Sequence, residues 1–389
     1  MTAAQTADPP LGCTGDEESV LRTLLPFLPD LGITRLADQT GLDNLGVPVV
    51  AAFRPNSRSI SVHQGKGLTK AQAKISAIME SAECHFAENV DQPLRWAAVG
   101  ELPDTVCVHR LPVEDWACPD ESERTLWVEG DDLIAGCRKW VPFEMVHTDY
   151  TASRLSAGEA GYRATTSGLG AGLSLSRART HALWELLERD AISTWRAAGG
   201  PAARDATPLD LDSVRDRRCR GLLLRLLDRR VRVGVWAVGS KVGCTAFQAL
   251  LVPPDGGLAG IEAEMGAALH ADPVQALLGA LCEAAQSRVT RIAGARDDYE
   301  PASYGADARR DRLAQASLWM TFASRRAAIP FQEMSPITND TLPHRMHSHL
   351  EALDRAGCTE AVWVDLSRPG LPISSGRFII PGLEGPFGH

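Results

Sequence analysis

Two glutamate pairs recur at one spacing, 105 residues apart. Gly67-Leu68-Thr69 leads into Ala73, Ala77, Glu80 and Glu83. Gly172-Leu173-Ser174 leads into Ala178, Ala182, Glu185 and Glu188. A third run, Ala276, Ala280, Glu283 and Gln286, follows Asp272 in the same order. Each run predicts a helix, over about 69–88, 174–195 and 273–293. Thr69, Ser174 and Asp272 stand where an N-cap is wanted. Alanines four apart make a flat face for close packing. Acids three apart share a helix face. Such a face suits a divalent cation, which takes carboxylate oxygens and needs no sulfur or imidazole. One Glu-x-x-Glu pair is commonplace, but a solvated surface does not explain three in register. Converging, they would gather like charges that fold stably only if metal or arginine neutralises them.

Glycine and basic residues precede these helices. His63-Gln64-Gly65-Lys66-Gly67 enters the first, and Thr166-Ser167-Gly168-Leu169-Gly170-Ala171-Gly172 enters the second. As glycine-rich turns they would offer backbone N–H groups to phosphate. Neither matches a P-loop or a dinucleotide fingerprint. Arg189, Arg288, Arg291 and Arg296 follow the acids and could neutralise phosphate oxygens. Together these residues point to a nucleoside triphosphate held through Mg2+.

The elements around them interleave without a regular βαβ beat, which predicts a mixed α+β (α/β) fold. Helices are expected over Asp16–Leu28, Leu209–Leu227 and Arg309–Ser324. Strands are expected near Ile33–Leu36, Val47–Phe53, Ser59–His63, Thr125–Glu129, Lys139–Pro142, Val231–Val238, Ala246–Val252, Glu360–Asp365 and Arg377–Ile380. No linker marks a domain boundary, so a tail over 1–15 and one domain over 16–389 are expected. The 389 residues carry a net charge of −9, which argues against a nucleic-acid coat. No apolar run reaches the roughly 20 residues that span a bilayer. No signal peptide is visible at the start. Nine cysteines without CxxC spacing fit reduced thiols in the cytoplasm.

The chain resembles the YcaO-domain family, ATP-dependent enzymes that activate peptide amides. The resemblance lies in Thr34–Gly41, Gly46–Pro55, the run from Gly65 to Glu83, and the run from Ser167 through Glu185-Leu186-Leu187-Glu188-Arg189-Asp190-Ala191. It continues in Glu283-Ala284-Ala285-Gln286-Ser287-Arg288, Gly294–Asp298, Val362–Asp365 and Pro381–Glu384. It implies intertwined subdomains around one ATP site with magnesium. Glu80, Glu83, Glu185, Glu188 and Glu283 match the metal acids. Lys66, Gln286, Arg189 and Arg288 match phosphate-side positions, the last three as the catalytic set. Ser167, Gly170 and Glu185 match the nucleotide-contact segment, and Ser19 is placed near the nucleoside. Such enzymes phosphorylate a backbone amide oxygen after a nucleophile has added to the carbonyl carbon. Two departures stand in the contact loop: Ser167-Gly168 where many members have Asn-Gly, and Arg177 where many have Glu. The end, Pro381 to His389, lacks a Pro-x-Pro-x-Pro tail and resembles members paired with a TfuA protein. That favours sulfide as nucleophile and a thioamide product. An azoline-forming cyclodehydratase and a non-catalytic nucleotide-binding scaffold are the alternatives. The expected partners are a peptide or protein substrate and a separate TfuA-like or other protein that delivers substrate or sulfur, with a homodimer allowed. No nucleic acid or membrane is expected.

Three other clusters carry less. His344, His347 and His349 read as a surface helix start rather than a zinc site. Arg215, Arg217, Arg218, Arg220 and Arg225 read as a solvated helix face rather than a site for an acidic peptide or a partner. Trp140, Trp184, Trp195 and Trp319 read as core.

Overall fold

The structure, a computed structural model, describes residues 17–151, 160–253, 262–336 and 342–383. The expected tail 1–15, Asp16 and the end from Glu384 onward lie outside them. Helix α1 (Glu17–Leu24) buries Leu21 and Leu24, then tightens into a 3-10 turn at Leu25–Phe27 where Pro26 cannot continue the ladder. Strands β1 (Arg35–Asp38), β2 (Val49–Phe53) and β3 (Val62–Lys66) form an antiparallel sheet in that order. Helix α2 (Lys70–Glu88) follows, capped by Thr69, whose hydroxyl accepts from the Gln72 N–H at 3.1 Å. Its far end is anchored by Arg54, which pairs with Glu88 at 2.6 Å, both side chains buried.

Strands β4 (Leu94–Ala97), β5 (Thr125–Asp132), β6 (Cys137–Pro142) and β7 (Leu169–Gly172) belong to a six-stranded sheet. Helix α3 (Leu175–Ala197) leaves β7, capped by Ser174. Next come β8 (Thr207–Asp210), α4 (Arg217–Asp228), β9 (Arg232–Gly239), β10 (Thr245–Val252) and β11 (Glu264–His270). Helix α5 (Pro273–Ala293) is capped by Asp272 and ends at Gly294, whose φ of 55° is the left-handed turn glycine allows. Helix α6 (Ala306–Ser324), β12 (Ile329–Pro330), α7 (Leu342–Arg355), β13 (Val362–Asp365) and β14 (Ser374–Ile379) complete the chain. The five-stranded sheet runs β11-β10-β9-β8-β12. The six-stranded one runs β4-β5-β13-β14-β7, with β6 on β5.

The structure corrects several expectations. The glycine-rich segments before the first two helices are largely strands, β3 and β7; a turn remains at Thr166–Leu169, where the Leu169 N–H donates to the Thr166 carbonyl at 3.2 Å and Gly168 has a φ of 80°. Their glycines let strand and helix backbones touch. A Cβ on Gly65 would lie 2.2 Å from the Ala73 carbonyl and 2.1 Å from the Ala77 nitrogen. One on Gly170 would lie 2.4 Å from the Ala178 carbonyl and 2.9 Å from the Ala182 nitrogen. One on Gly266 would lie 2.5 Å from the Ala280 carbonyl and 2.2 Å from the Ala284 nitrogen. The alanines four apart are the helix side of these crossings. Leu209–Leu227 is not one helix. Thr207 and Pro208 pair with Ala237 and Trp236 of β9, and the helix starts only after Asp216, whose carboxylate accepts from the N–H groups of Arg218 and Cys219.

The core lies where these layers meet. Ile78, Ala82 and Phe86 of α2 pack with Trp127 and Val128 of β5, all but fully buried. Each such large side chain contributes about 1.5–3 kcal/mol by leaving water. Trp195, Trp236 and Trp319 meet at ring separations of 5.9–6.2 Å. His347 pairs with Glu351 on the surface, whereas His349 is buried 3.4 Å from the Cys244 sulfur. The two therefore face apart.

Candidate functional site

Three strand-to-helix units, β3–α2, β7–α3 and β11–α5, supply the acids. Each of their strands ends its own sheet, so each keeps an edge without a strand partner. Polar side chains reach those edges. Glu83 of α2 accepts from the Ala171 N–H of β7 at 3.0 Å. Glu283 of α5 accepts from the Ala267 N–H of β11 at 3.4 Å. Gln286 of α5 donates to the Gln64 carbonyl of β3 at 2.7 Å. The helices therefore cross from one sheet to another, and their acid faces turn toward one another.

The five glutamates form one electrostatic group. Burial, then Glu185 and Glu80, push Glu83 well above the usual carboxylate range. Burial raises Glu80 to about 7, against the pull of Lys66 and Arg296 and with Glu185 and Glu283 adding to it. Burial and Glu283 raise Glu188 to about 8. Two cations answer them directly. Lys66, at the end of β3, stands 2.7 Å from Glu283. Burial opposes its charge, but Glu283, Glu188 and Glu80 raise its pKa. Arg189 pairs with Glu185 one turn back and donates to the Ser167 hydroxyl at 2.8 Å. Glu185 and Arg189 are 21% and 28% exposed and Lys66 30%, so the group opens to solvent.

The remaining expected residues are placed as follows. Gly170 lies in β7, in the contact with α3 already described. Ser19 is exposed on α1, and its carbonyl accepts from Thr23 at 3.1 Å. Its neighbour Glu17 accepts from Thr69 at 2.7 Å and from Gln72, which ties α1 to the cap of α2. Arg288 is 2% exposed and stands 3.5 Å from Asp43, itself buried, and 3.4 Å from the Glu262 carbonyl. None of the five glutamates is among its partners. Arg291 lies with Glu262 and Glu264. Arg296 holds Asp298 and acts on Glu80 from a distance.

Sequence reasoning missed four residues. His181, one turn before Glu185, is exposed and stands 3.6 Å from Glu83. Gln64, buried in β3, links Gln39 and Thr290 across elements. Asp43 partners Arg288. Arg377, 1% exposed in β14, donates to the carbonyls of Ser167 at 3.1 Å, Val146 at 3.3 Å and Thr165 at 2.5 Å. It thereby braces the segment that receives Arg189. Only His181, spaced four from Glu185, left a trace in the sequence.

Five carboxyls, three of them raised far enough to hold protons near neutral pH, face two close cations in a cleft that water reaches, and a divalent cation would displace those protons. That donor set fits magnesium carried with a polyphosphate. Among the described residues no three Asp, Glu, His or Cys side chains form a finished metal cage. Magnesium needs none, since it keeps waters and takes substrate phosphate oxygens beside one or two carboxylates.

Comparison with known proteins agrees. Residues 64–384 match the model of the family described as YcaO cyclodehydratase, ATP- and Mg2+-binding. An uncharacterized protein in the tfuA 3′ region of Rhizobium leguminosarum bv. trifolii is 34% identical over 378 residues, covering 92% of this chain and 85% of its own. An uncharacterized protein of Methanothermobacter thermautotrophicus is 30% identical over 365 residues, covering 91% and 90%. The fold is shared with YcaO of Methanopyrus kandleri bound with AMPPCP and Mg2+, at a TM-score of 0.73, 23% identity and coverage of 94% and 91%. It is shared too with a heterocyclase in complex with substrate and cofactor, at 0.79, 19% identity and coverage of 98% and 54%. The chain belongs to the YcaO family, whose members bind ATP and Mg2+.

Proposed function

We propose that the chain activates a peptide backbone amide with ATP and Mg2+, and that sulfide is the nucleophile, giving a thioamide. The observation that carries the reading is the convergence of Glu80, Glu83, Glu185, Glu188 and Glu283 from three strand-to-helix units. These acids would hold magnesium. Lys66, Arg189 and Gln286 would serve the phosphates, with Ser167, Gly170 and Ser19 along the nucleotide; Arg288 would have to leave its buried pair with Asp43 to join them. Bound ATP supplies the phosphoryl group that makes an amide oxygen a leaving group. The chain's own contribution is electrostatic: Lys66 and Arg189 are held where phosphoryl charge would develop. Ser167, braced by Arg377, fixes the direction of Arg189. No Ser/His/Asp or Cys/His nucleophile is required, because the attacking atom comes from substrate or sulfide.

The relative in the tfuA 3′ region supports a TfuA-like partner and the thioamide product. The Escherichia coli microcin synthetase McbBCD complex, a shared fold at a TM-score of 0.63 and 13% identity, supports work within an assembly. The heterocyclase likeness favours the second reading, azoline formation. Among the described residues no helix is long and apolar enough to cross a membrane. Eight described cysteines are free, which fits a reducing cytoplasm. Mass spectrometry of candidate peptides incubated with ATP, Mg2+, sulfide and a TfuA-like protein tests the reading. Exchange of one oxygen for sulfur supports it. Loss of one water without sulfur moves the reading to azoline formation, and an unmodified peptide with no ATP consumed overturns it.

A further inference from the structure

Eight arginines and three aspartates fall between Asp212 and Arg232, in a chain whose net charge is −9. The excess is carried by α4 and its flanks. Cys219, Leu222, Leu223 and Leu226 bury the inner side of α4. The outer side holds Arg217, Gly221, Leu224, Arg225, Leu227 and Asp228, all exposed. Leu224 and Leu227 are 44% and 52% exposed, three residues apart on one face. Arg217, Arg229 and Arg230 form no ion pair among the described residues, while Arg225 reaches only the Gly46 carbonyl at 3.0 Å.

Gly221 is the telling position. It sits in mid-helix, where glycine costs about 0.5–1 kcal/mol against alanine. A Cβ there would meet nothing within 4 Å, and its φ is not positive. Neither packing nor backbone geometry inside this chain calls for glycine. A bare backbone between Arg217 and Leu224 does allow another chain to approach closely.

We propose that the outer face of α4 docks an acidic amphipathic helix of a partner protein. The partner's apolar side would lie across Gly221 onto Leu224 and Leu227. Its carboxylates would meet Arg217, Arg225 and Arg229 around the rim. Charge complementarity selects an acidic partner. The two exposed leucines select an amphipathic helix over nucleic acid, since the outer face offers no aromatic ring for bases to stack on. The inference is independent of the chemistry assigned to the glutamate cluster.

The test is fluorescence anisotropy with a labelled helical peptide of Glu and Leu, against unstructured polyglutamate and single-stranded oligodeoxythymidine. Wild type should bind the Glu/Leu helix at least tenfold tighter than polyglutamate, and more weakly as salt rises. Gly221→Gln should raise the melting temperature slightly yet weaken binding at least tenfold. Arg217→Glu with Arg229→Glu should abolish binding with melting unchanged. Equal affinity for polyglutamate and the helix overturns the proposal, as does a Gly221→Gln variant that binds like wild type. Tighter binding of the oligonucleotide would assign the face to nucleic acid instead.

Discussion

Replacing Glu188 by glutamine should make the protein more stable without nucleotide and insensitive to it. The carboxyl of Glu188 is raised from an ordinary 4.5 to about 8, first by burial and then by Glu283. A carboxyl raised in the native state binds a proton that the unfolded chain releases, so stability falls as pH rises from about 4.5 to 8. Taken whole, the shift is worth about 5 kcal/mol at 1.36 kcal/mol per unit. Water in the cleft screens it, and on the order of 1–2 kcal/mol is expected. For a chain of this length that is about 1–3 °C in melting temperature. Glu188→Gln should therefore melt about 1–3 °C above wild type at pH 8, and a shift of that screened size leaves about half of the gain at pH 5. Adding Mg·ATP should raise the wild-type melting temperature by linkage and leave the variant nearly unchanged. Scanning fluorimetry across pH, with and without Mg·ATP, reads both effects. A variant that melts below wild type at pH 8, or gains equally at both pH values, would refute the reasoning.

Three further outcomes follow from the geometry. Gly170→Ala puts a Cβ 2.4 Å from the Ala178 carbonyl, so α3 must shift. Unfolding in denaturant should show a loss of about 1–3 kcal/mol, together with weaker Mg·ATP binding. Arg288→Gln leaves the Asp43 carboxylate buried without its counter-charge and should cost about 3 kcal/mol in the same assay. If stability stays at the wild-type level while nucleotide affinity collapses, Arg288 serves phosphate and not the Asp43 pair. Arg377→Lys offers one ammonium to three carbonyls and frees the Ser167 segment. It should raise KM for ATP more than it lowers the melting temperature, and an unchanged KM would remove Arg377 from the site.

The sequence carried the repeat because capping and acid spacing are local. Thr69, Ser174 and Asp272 cap the three helices as their side chains require, and α5 spans the expected Pro273–Ala293. The strands beside them were hidden. Gly65 and Gly170 look like turn residues, but a strand that presses against a helix backbone needs glycine for the same lack of a Cβ. β7 is buried at every residue, so it shows no alternation to read. The cluster of Glu80, Glu83, Glu185, Glu188 and Glu283 was legible from spacing and resemblance. The environment of Arg288 was not, since Asp43 is far away in sequence and only the fold brings it near. Arg377 and Gln64 were silent for the same reason: each acts through backbone carbonyls or side chains of distant segments.

The most direct test of the glutamate cluster is titration calorimetry of ATP into the protein, with and without Mg2+. It should be run on wild type, Glu83→Gln and Glu188→Gln. The account predicts that wild type binds ATP tightly only with Mg2+, because a divalent cation would join phosphate oxygens to carboxyl groups that otherwise hold protons or repel the triphosphate. Both variants should lose most of the magnesium-dependent affinity. Equal ATP affinity without magnesium, or variants that bind Mg·ATP like wild type, would contradict it.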